Sequence, residues 1–424
     1  MVDVHSAAEV VFRRESGRIL AGLIRISGSF DRAEEALQEA FASALACWPE
    51  KGVPQNPAAW IMAAAHRKLI DAVRRDNTRS EKQEALRYAA ESVFYKTGHE
   101  FEDASMDVPD DRLRLLFTCC HPALNQEAQV ALTLRTLGGL STPEIAKAFL
   151  LSEPTLAQRI VRAKRKIQEA QIPYEVPPAS QLPGRLTSVQ TVIYLIFNEG
   201  HTAASGDQLV RTDLCSEAIR LGRVLGELMP AEPENLGLLA LMLLHDSRRD
   251  ARVMNGELIT LEDQDRSLWD QTAIAEGLRL VEKALSFGVS GPYQLQAAIA
   301  ALHAQAEAAA NTDWPQIAAL YERLLQWSPS RVIALNHAVA VAMSVGLEDG
   351  LKRIDDLAAA GELDSYYLFH AARADILRRL KRPVEAAEAY SRALPLVTNA
   401  IERSFLQHRL LRCLRPDDSL ENTQ

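Results

Sequence analysis

Between Gly139 and Ile167 the chain reads GLSTPEIAKAFLLSEPTLAQRIVRAKRKI, and no other stretch limits its folding options so tightly. Ser141 or Thr142 can cap a short helix, with Glu144 answering from the first turn and Ile145, Ala146 and Phe149 pointing inward. Ser152 caps a second helix and Pro154 is tolerated in its first turn, where its missing amide costs nothing. Leu156, Ile160 and Ala163 or Ile167 then form one apolar stripe, with Thr155, Gln158, Arg159 and Arg162 on the opposite face. Lys164, Arg165 and Lys166 follow. A short support helix ahead of a helix with early polar residues is the logic of a helix-turn-helix, whose second helix reads base edges while the later cations meet phosphates. An amphipathic hairpin with a solvated basic face fits the same residues. The usual turn carries glycine where Leu150 stands, and a left-handed leucine costs roughly 1–2 kcal/mol, so a different turn geometry is expected here.

Helix is also expected elsewhere, because alanine, leucine, arginine and glutamate dominate and β-branched runs are scarce. Asp31 is placed to cap a helix with Glu34 in its first turn, followed by Leu37, Ala40, Phe41, Ala44 and Leu45 at helical spacing. Asn56 before Pro57 is a second start signal, and Trp60, Ile61, Ala64, Leu69, Ile70 and Val73 spread along the helix that follows. With 424 residues, two or three cores are expected. The expected boundaries are 4–79, a polar tether over 80–109 with a weak helix near Glu84 to Val93, 110–172, a proline-rich linker over 173–183, 184–414, and a polar tail over 415–424.

The last large unit carries a repeat. Tyr321, Asp355 and Tyr390 stand about 34 residues apart, and Leu320, Ile354 and Ala389, then Leu324, Ala358 and Ala393, recur beside them. That period of paired helices is the tetratricopeptide pattern. Its best copy runs Ala371, Ala374, Leu377, Leu380, Ala386, Ala387, Tyr390 and Leu394 about a turn at Lys381–Pro383. The expected fold class is all-α: two small helical domains and an α-solenoid.

Charge separates these parts. Residues 1–172 hold 23 basic and 23 acidic side chains, so the net −9 of the chain lies entirely in the remainder. The first part can meet DNA through local basic patches; the second suits proteins or small ligands. No apolar run is long enough to span a bilayer, no signal-peptide pattern opens the sequence, and five cysteines without a CxxC pair suit a reducing cytoplasm.

Two N-terminal motifs in order make a family recognisable. DRAEEALQEAFASALACWP (Asp31–Pro49) and NPAAWIMAAAHRKLIDAVRRDNTR (Asn56–Arg79) resemble region 2 of sigma-70-type factors of the extracytoplasmic-function group, and Gly139–Ile167 resembles their region 4. The resemblance covers residues up to about Ile172. It implies core RNA polymerase and promoter DNA as partners, with the β′ clamp helices and the β flap as the polymerase contacts. Asp31, Glu34, Glu35, Gln38 and Glu39 would bind the β′ clamp helices; an acidic face suits a basic protein partner, and a merely solvated face is the plainer alternative. Arg67, Lys68, Arg74 and Arg75 would contact the −10 element, where an unstacked base could lodge near Gly52–Asn56. Trp60 is a stacking candidate, though an aromatic at helical spacing is more often core, and His66 reads as a surface or packing residue. At the −35 element Gln158 and Arg159 would touch bases, with Thr155 beside them and Arg162, Lys164 and Arg165 on the backbone.

The extension narrows the resemblance to the ECF42-like subgroup, in which it is thought to regulate activity. The stretches YLIFNEGHTAASG (Tyr194–Gly206) and LALMLLHDSRRDAR (Leu239–Arg252) carry that match. Asn198, Glu199, His245, Asp246 and Arg249 could form a polar pocket or an intramolecular seam to regions 2 and 4; helix-end caps and internal ion pairs are the competing reading. Cys119, Cys120 and His121 read as core residues of a helix, since adjacent cysteines rarely ligate one ion. No cofactor, metal or catalytic constellation is expected. Two other functions stay open: a polymerase-independent helix-turn-helix regulator with a repeat sensor, and a repeat-based enzyme or scaffold.

Overall fold

A computed structural model describes residues 4–77, 108–149, 151–203, 206–358 and 363–414. The expected tether with its weak helix, Leu150 and the C-terminal tail lie outside the described residues. The chain divides into two compact units, Met1–Leu195 and Ile196–Gln424, and both are built almost wholly of helices. Among the described residues no helix is long and apolar enough to cross a membrane.

The first unit opens with α1 (Val4–Ser27), α2 (Phe30–Lys51) and α3 (Pro57–Asn77), each packed on the other two. Local chemistry sets their ends. The Asn56 side chain accepts a hydrogen bond from the Ala59 amide at 3.0 Å, so α3 starts where the sequence signals it. The start of α2 corrects the sequence reading: Ser29, with extended backbone, caps the helix by accepting from the Arg32 amide, and Asp31 sits inside the first turn. Serine caps as well as aspartate does, and the Gly28 backbone at φ 62° ends α1 just ahead of it. Ala33, Leu37, Ala40, Ala44 and Trp48 form the buried face of α2.

Next come α4 (Val108–Cys119), α5 (Gln126–Thr136), α6 (Thr142–Ala148) and α7 (Glu153–Glu169). α6 begins with a reciprocal capping box: the Ser141 amide donates to the Glu144 carboxylate at 2.7 Å and the Glu144 amide returns to Ser141 Oγ. Ser152 caps α7, and Leu156, Ile160, Ala163 and Ile167 are its buried stripe. Within this unit α4 also packs on α1. Asp111, only 6% exposed, accepts from Arg25 Nε at 2.9 Å and from Arg114 Nη1 at 2.8 Å. The Tyr174 hydroxyl donates to the carbonyls of Ala21 and Asp111, tying the irregular segment after α7 to the same junction.

α8 (Leu182–His201) carries the division between the units. In the second unit α9 (Thr212–Leu228) and α10 (Pro233–Asp246) precede a short hairpin of β1 (Val253–Met254) and β2 (Glu257–Leu258), turned by Asn255 and Gly256 at φ 52° and 79°. α10 is apolar on nearly every side and packs against α9, α11 (Gln271–Leu285) and α12 (Pro292–Gln305). Successive helices then pack as neighbours: α13 (Trp314–Trp327), α14 (Arg331–Ser344), α15 (Leu347–Ala358), α16 (Tyr367–Arg379), α17 (Pro383–Ala393) and α18 (Ala400–Leu414). Tyr321, Asp355 and Tyr390 fall on α13, α15 and α17, every second helix. Ile354 and Ala389 are buried, but Asp355 is exposed and pairs with Arg373 at 2.7 Å where Tyr390 is core. The α14–α15 approach needs glycine at 350, since a Cβ there would stand 2.2 Å from that of Ala342.

Candidate functional site

The polar face of α2 and the outer face of α7 are two of the surfaces singled out by sequence, and both lie in the first unit. On α2, Asp31, Glu35 and Gln38 are exposed, Glu34 and Glu39 half-buried. Four of these five are acidic residues on one helix, and Glu34 and Gln38 line a groove of about 320 Å³ together with Phe12, Leu20, Leu37, Phe41 and Leu45. Glu39 pairs with Lys68 of α3 at 3.5 Å, so one polymerase-side and one DNA-side candidate are joined.

On α7, Thr155, Gln158 and Arg162 are exposed and Arg159 half-buried. The Thr155 hydroxyl lies 2.7 Å from Ser152 Oγ, inside the cap. Gln158, Arg159 and Arg162 present the donors that this face offers to a partner. Arg165 is held by Glu169 one turn on, at 2.6 Å. Lys164 turns the other way: its ammonium donates to Glu34 at 2.8 Å and to Asp31 at 3.2 Å, across 130 and more residues of sequence. The structure thus brings together two candidates for protein binding and one for phosphate binding, a pairing that no local pattern announces. The Lys164 side chain is only 13% exposed, and water screens the Glu34 contact less than the Asp31 one, whose carboxylate is 82% exposed.

On α3, Trp60 is half-buried with its ring edge-on to the buried Trp48 at 5.6 Å. Arg67 is exposed, its Nε donating to the Ala63 carbonyl. Arg74 and Arg75 sit in the last turns of α3, and their side chains lie outside the described residues. Burial, and then the nearby Arg25, hold His66 below the usual imidazole range, so its ring is neutral near pH 7. Gly52, at φ 79°, closes α2 with its amide on the Trp48 carbonyl, leaving an exposed loop ahead of α3.

Cys119 and Cys120 are fully buried and contact the hydroxyls of Thr136 and Thr133; burial pushes the Cys120 thiol up to about 12. Neither offers a thiolate. In the second unit Asp246 pairs with Arg249 one turn on, Glu199 with Arg211 at 3.9 Å, and His245 Nδ1 lies 2.8 Å from an Arg248 nitrogen. Asn198 is exposed. The internal pairing at Asp246 and Glu199 is what helix-end residues do.

The comparisons agree with this layout. Residues 11–79 match sigma-70 region 2, residues 114–167 match sigma-70 region 4, and residues 185–285 match a family of unknown function, DUF6596. An uncharacterized protein of Rhizobium meliloti (strain 1021) is 45% identical over 394 residues, 92% of either chain. The protein named "Probable ECF RNA polymerase sigma factor SigI" in two strains of Mycobacterium tuberculosis is 25% identical over 175 residues, which is 41% of this chain and 59% of that one. No solved structure matches. The chain belongs to one family with the Rhizobium protein over most of its length, and it carries the region 2 and region 4 domains of sigma-70-type factors.

Proposed function

We propose that this protein binds core RNA polymerase in the cytoplasm and directs it to specific promoters, and that its helical C-terminal region, tetratricopeptide-like and of the ECF42-like type, regulates that activity. The observation that carries the reading is the pair of surfaces in the first unit: an acidic face on α2 suited to a basic protein partner, and on α7 a capped helix whose exposed Gln158 and Arg162 flank Arg159. In this reading α2 grips the β′ clamp helices, region 4 also meets the β flap, α3 engages the −10 element and α7 the −35 element. The chain contributes binding and no chemistry of its own. Run-off transcription with purified core polymerase tests it. Addition of the full chain is expected to give promoter-dependent transcripts that core alone does not make; a regulator acting without polymerase would bind the promoter and give none.

The Lys164 contact supports a further expectation. Because Lys164 occupies Asp31 and Glu34, Lys164→Met should move two measurements in opposite directions. Stability falls by about 1–2 kcal/mol, as a partly buried pair is broken and Glu34 loses its partner. Core-polymerase affinity rises, because the acidic face no longer has to leave an internal cation. Parallel loss of both would show that Lys164 only holds the fold, and that the acidic face is not the polymerase contact.

A further inference from the structure

Six basic side chains from four separate stretches converge in the second unit: His201 at the end of α8, His245 in the last turn of α10 with Arg248 and Arg252 just after it, Arg266 before α11, and His303 in the last turn of α12. The His201 and His245 rings stand 5.3 Å apart, with His201 stacked on Phe197. Arg248 reaches His245 at 2.8 Å, and His303 meets Trp314 edge-on at 5.2 Å.

Two of the three arginines have structural anchors. Arg252 donates to the His201 carbonyl and, at 2.9 Å, to Thr202 Oγ1. Arg266 donates through Nη1 to the carbonyls of His303 and Ala306 and lies over the Trp269 ring. Its Nη2 is buried and has no partner among the described residues, and neither does His201 Nδ1. The Arg248 side chain has, among the described residues, only the His245 imidazole, which burial keeps neutral. Among the described residues no carboxylate forms an ion pair with Arg248, Arg252 or Arg266.

The nearest acids do not balance the group. Asp246 is taken by Arg249, and Glu402 accepts from the Tyr367 hydroxyl at 2.7 Å. Four guanidiniums, counting Arg249, face two shielded carboxylates and leave two positive charges there, since Asp250 and Asp265 are exposed to water. Burial, then the like charges of Arg252 and Arg266, pull Arg248 down to about 10, and burial holds His303 at about 4. A half-buried cluster of like charge with idle donors costs free energy unless an anion completes it.

The geometry points to an anion-binding site in the C-terminal unit, centred on Arg248, that takes the phosphate group of a small molecule. A phosphate brings close to two negative charges and three acceptor oxygens. That matches the excess charge and offers acceptors to Arg248, to Arg266 Nη2 and, in the tautomer that carries its proton there, to His201 Nδ1. A single carboxylate would neutralise half of it. The site lies within the second unit and does not depend on the role proposed for the first.

Titration of the full chain with inorganic phosphate and, separately, glycerol phosphate, at constant ionic strength, tests the site by calorimetry and melting. Saturable binding is expected, with an upward melting shift of roughly 5–10 °C at about a hundred-fold excess over Kd. Tighter binding of glycerol phosphate identifies a phosphorylated metabolite, and equal or tighter binding of inorganic phosphate identifies the free ion. Arg248→Gln should abolish the shift while the unliganded protein melts no lower than wild type, since a repelled buried charge has been removed. Arg248→Lys should keep part of the shift, and Arg159→Ala all of it. The proposal is overturned by absence of saturable phosphate binding, by an unchanged shift in Arg248→Gln, or by a shift produced by succinate alone. A lower melting point of unliganded Arg248→Gln together with an unaltered phosphate response in Arg248→Lys would also overturn it, since Arg248 would then only hold the fold.

Discussion

Arg159→Ala is expected to lower promoter-specific initiation by roughly 5–150-fold, the equivalent of the 1–3 kcal/mol that a good arginine–base contact contributes to discrimination. Binding to the β′ clamp helices should be unchanged, because the candidates for that contact lie on α2 and Arg159 lies on α7. Stability should also be unchanged: among the described residues Arg159 makes no ion pair, and the buried stripe of Leu156, Ile160, Ala163 and Ile167 is left whole. Run-off assays on a promoter panel decide it, read beside a melting curve. Loss confined to some promoter sequences marks a base contact. A uniform loss across all sequences, such as Arg162→Ala should give, would assign Arg159 to the phosphate backbone instead.

The largest stability effect is expected at Trp48. Its side chain is 2% exposed in the core of the first three helices and supports Trp60 edge-on. Trp48→Ala should cost about 3–5 kcal/mol, as a large cavity replaces an aromatic ring. Melting of the first unit should drop by roughly 10 °C. Transcription should fall with it, since α2 and α3 carry both the acidic face and the −10 candidates. The indole N–H is buried and has no partner among the described residues, so Trp48→Phe removes an idle donor and should cost less than half as much. Equal losses in the two variants would mean that the N–H has a partner that holds the helix pair together.

Much of this molecule is legible in its sequence. The capping box at Ser141 and Glu144, the cap at Ser152, the start of α3 at Asn56 and the apolar stripe of α7 all follow from bonds within one or two turns. The start of α2 shows the limit even of local reading, since Ser29 and Asp31 are both good caps and the chain entering from Gly28 selects the serine. The spacing of Tyr321, Asp355 and Tyr390 places them on every second helix; that Asp355 lies outside while Tyr390 lies inside depends on packing.

The candidate sites divide in the same way. Helix formation, capping and amphipathic faces are short-range, fixed by hydrogen bonds to residues three or four away and by which side chains avoid water. The sequence alone therefore determined a largely helical protein with an acidic α2 and a basic α7. Only the tertiary structure turned Lys164 onto Asp31 and Glu34, set Asp111 between Arg25 and Arg114, and gathered His201, Arg248, Arg266 and His303 from distant stretches. Charges act over a few ångströms of space whatever their separation in sequence, so their partners are decided by how the helices pack.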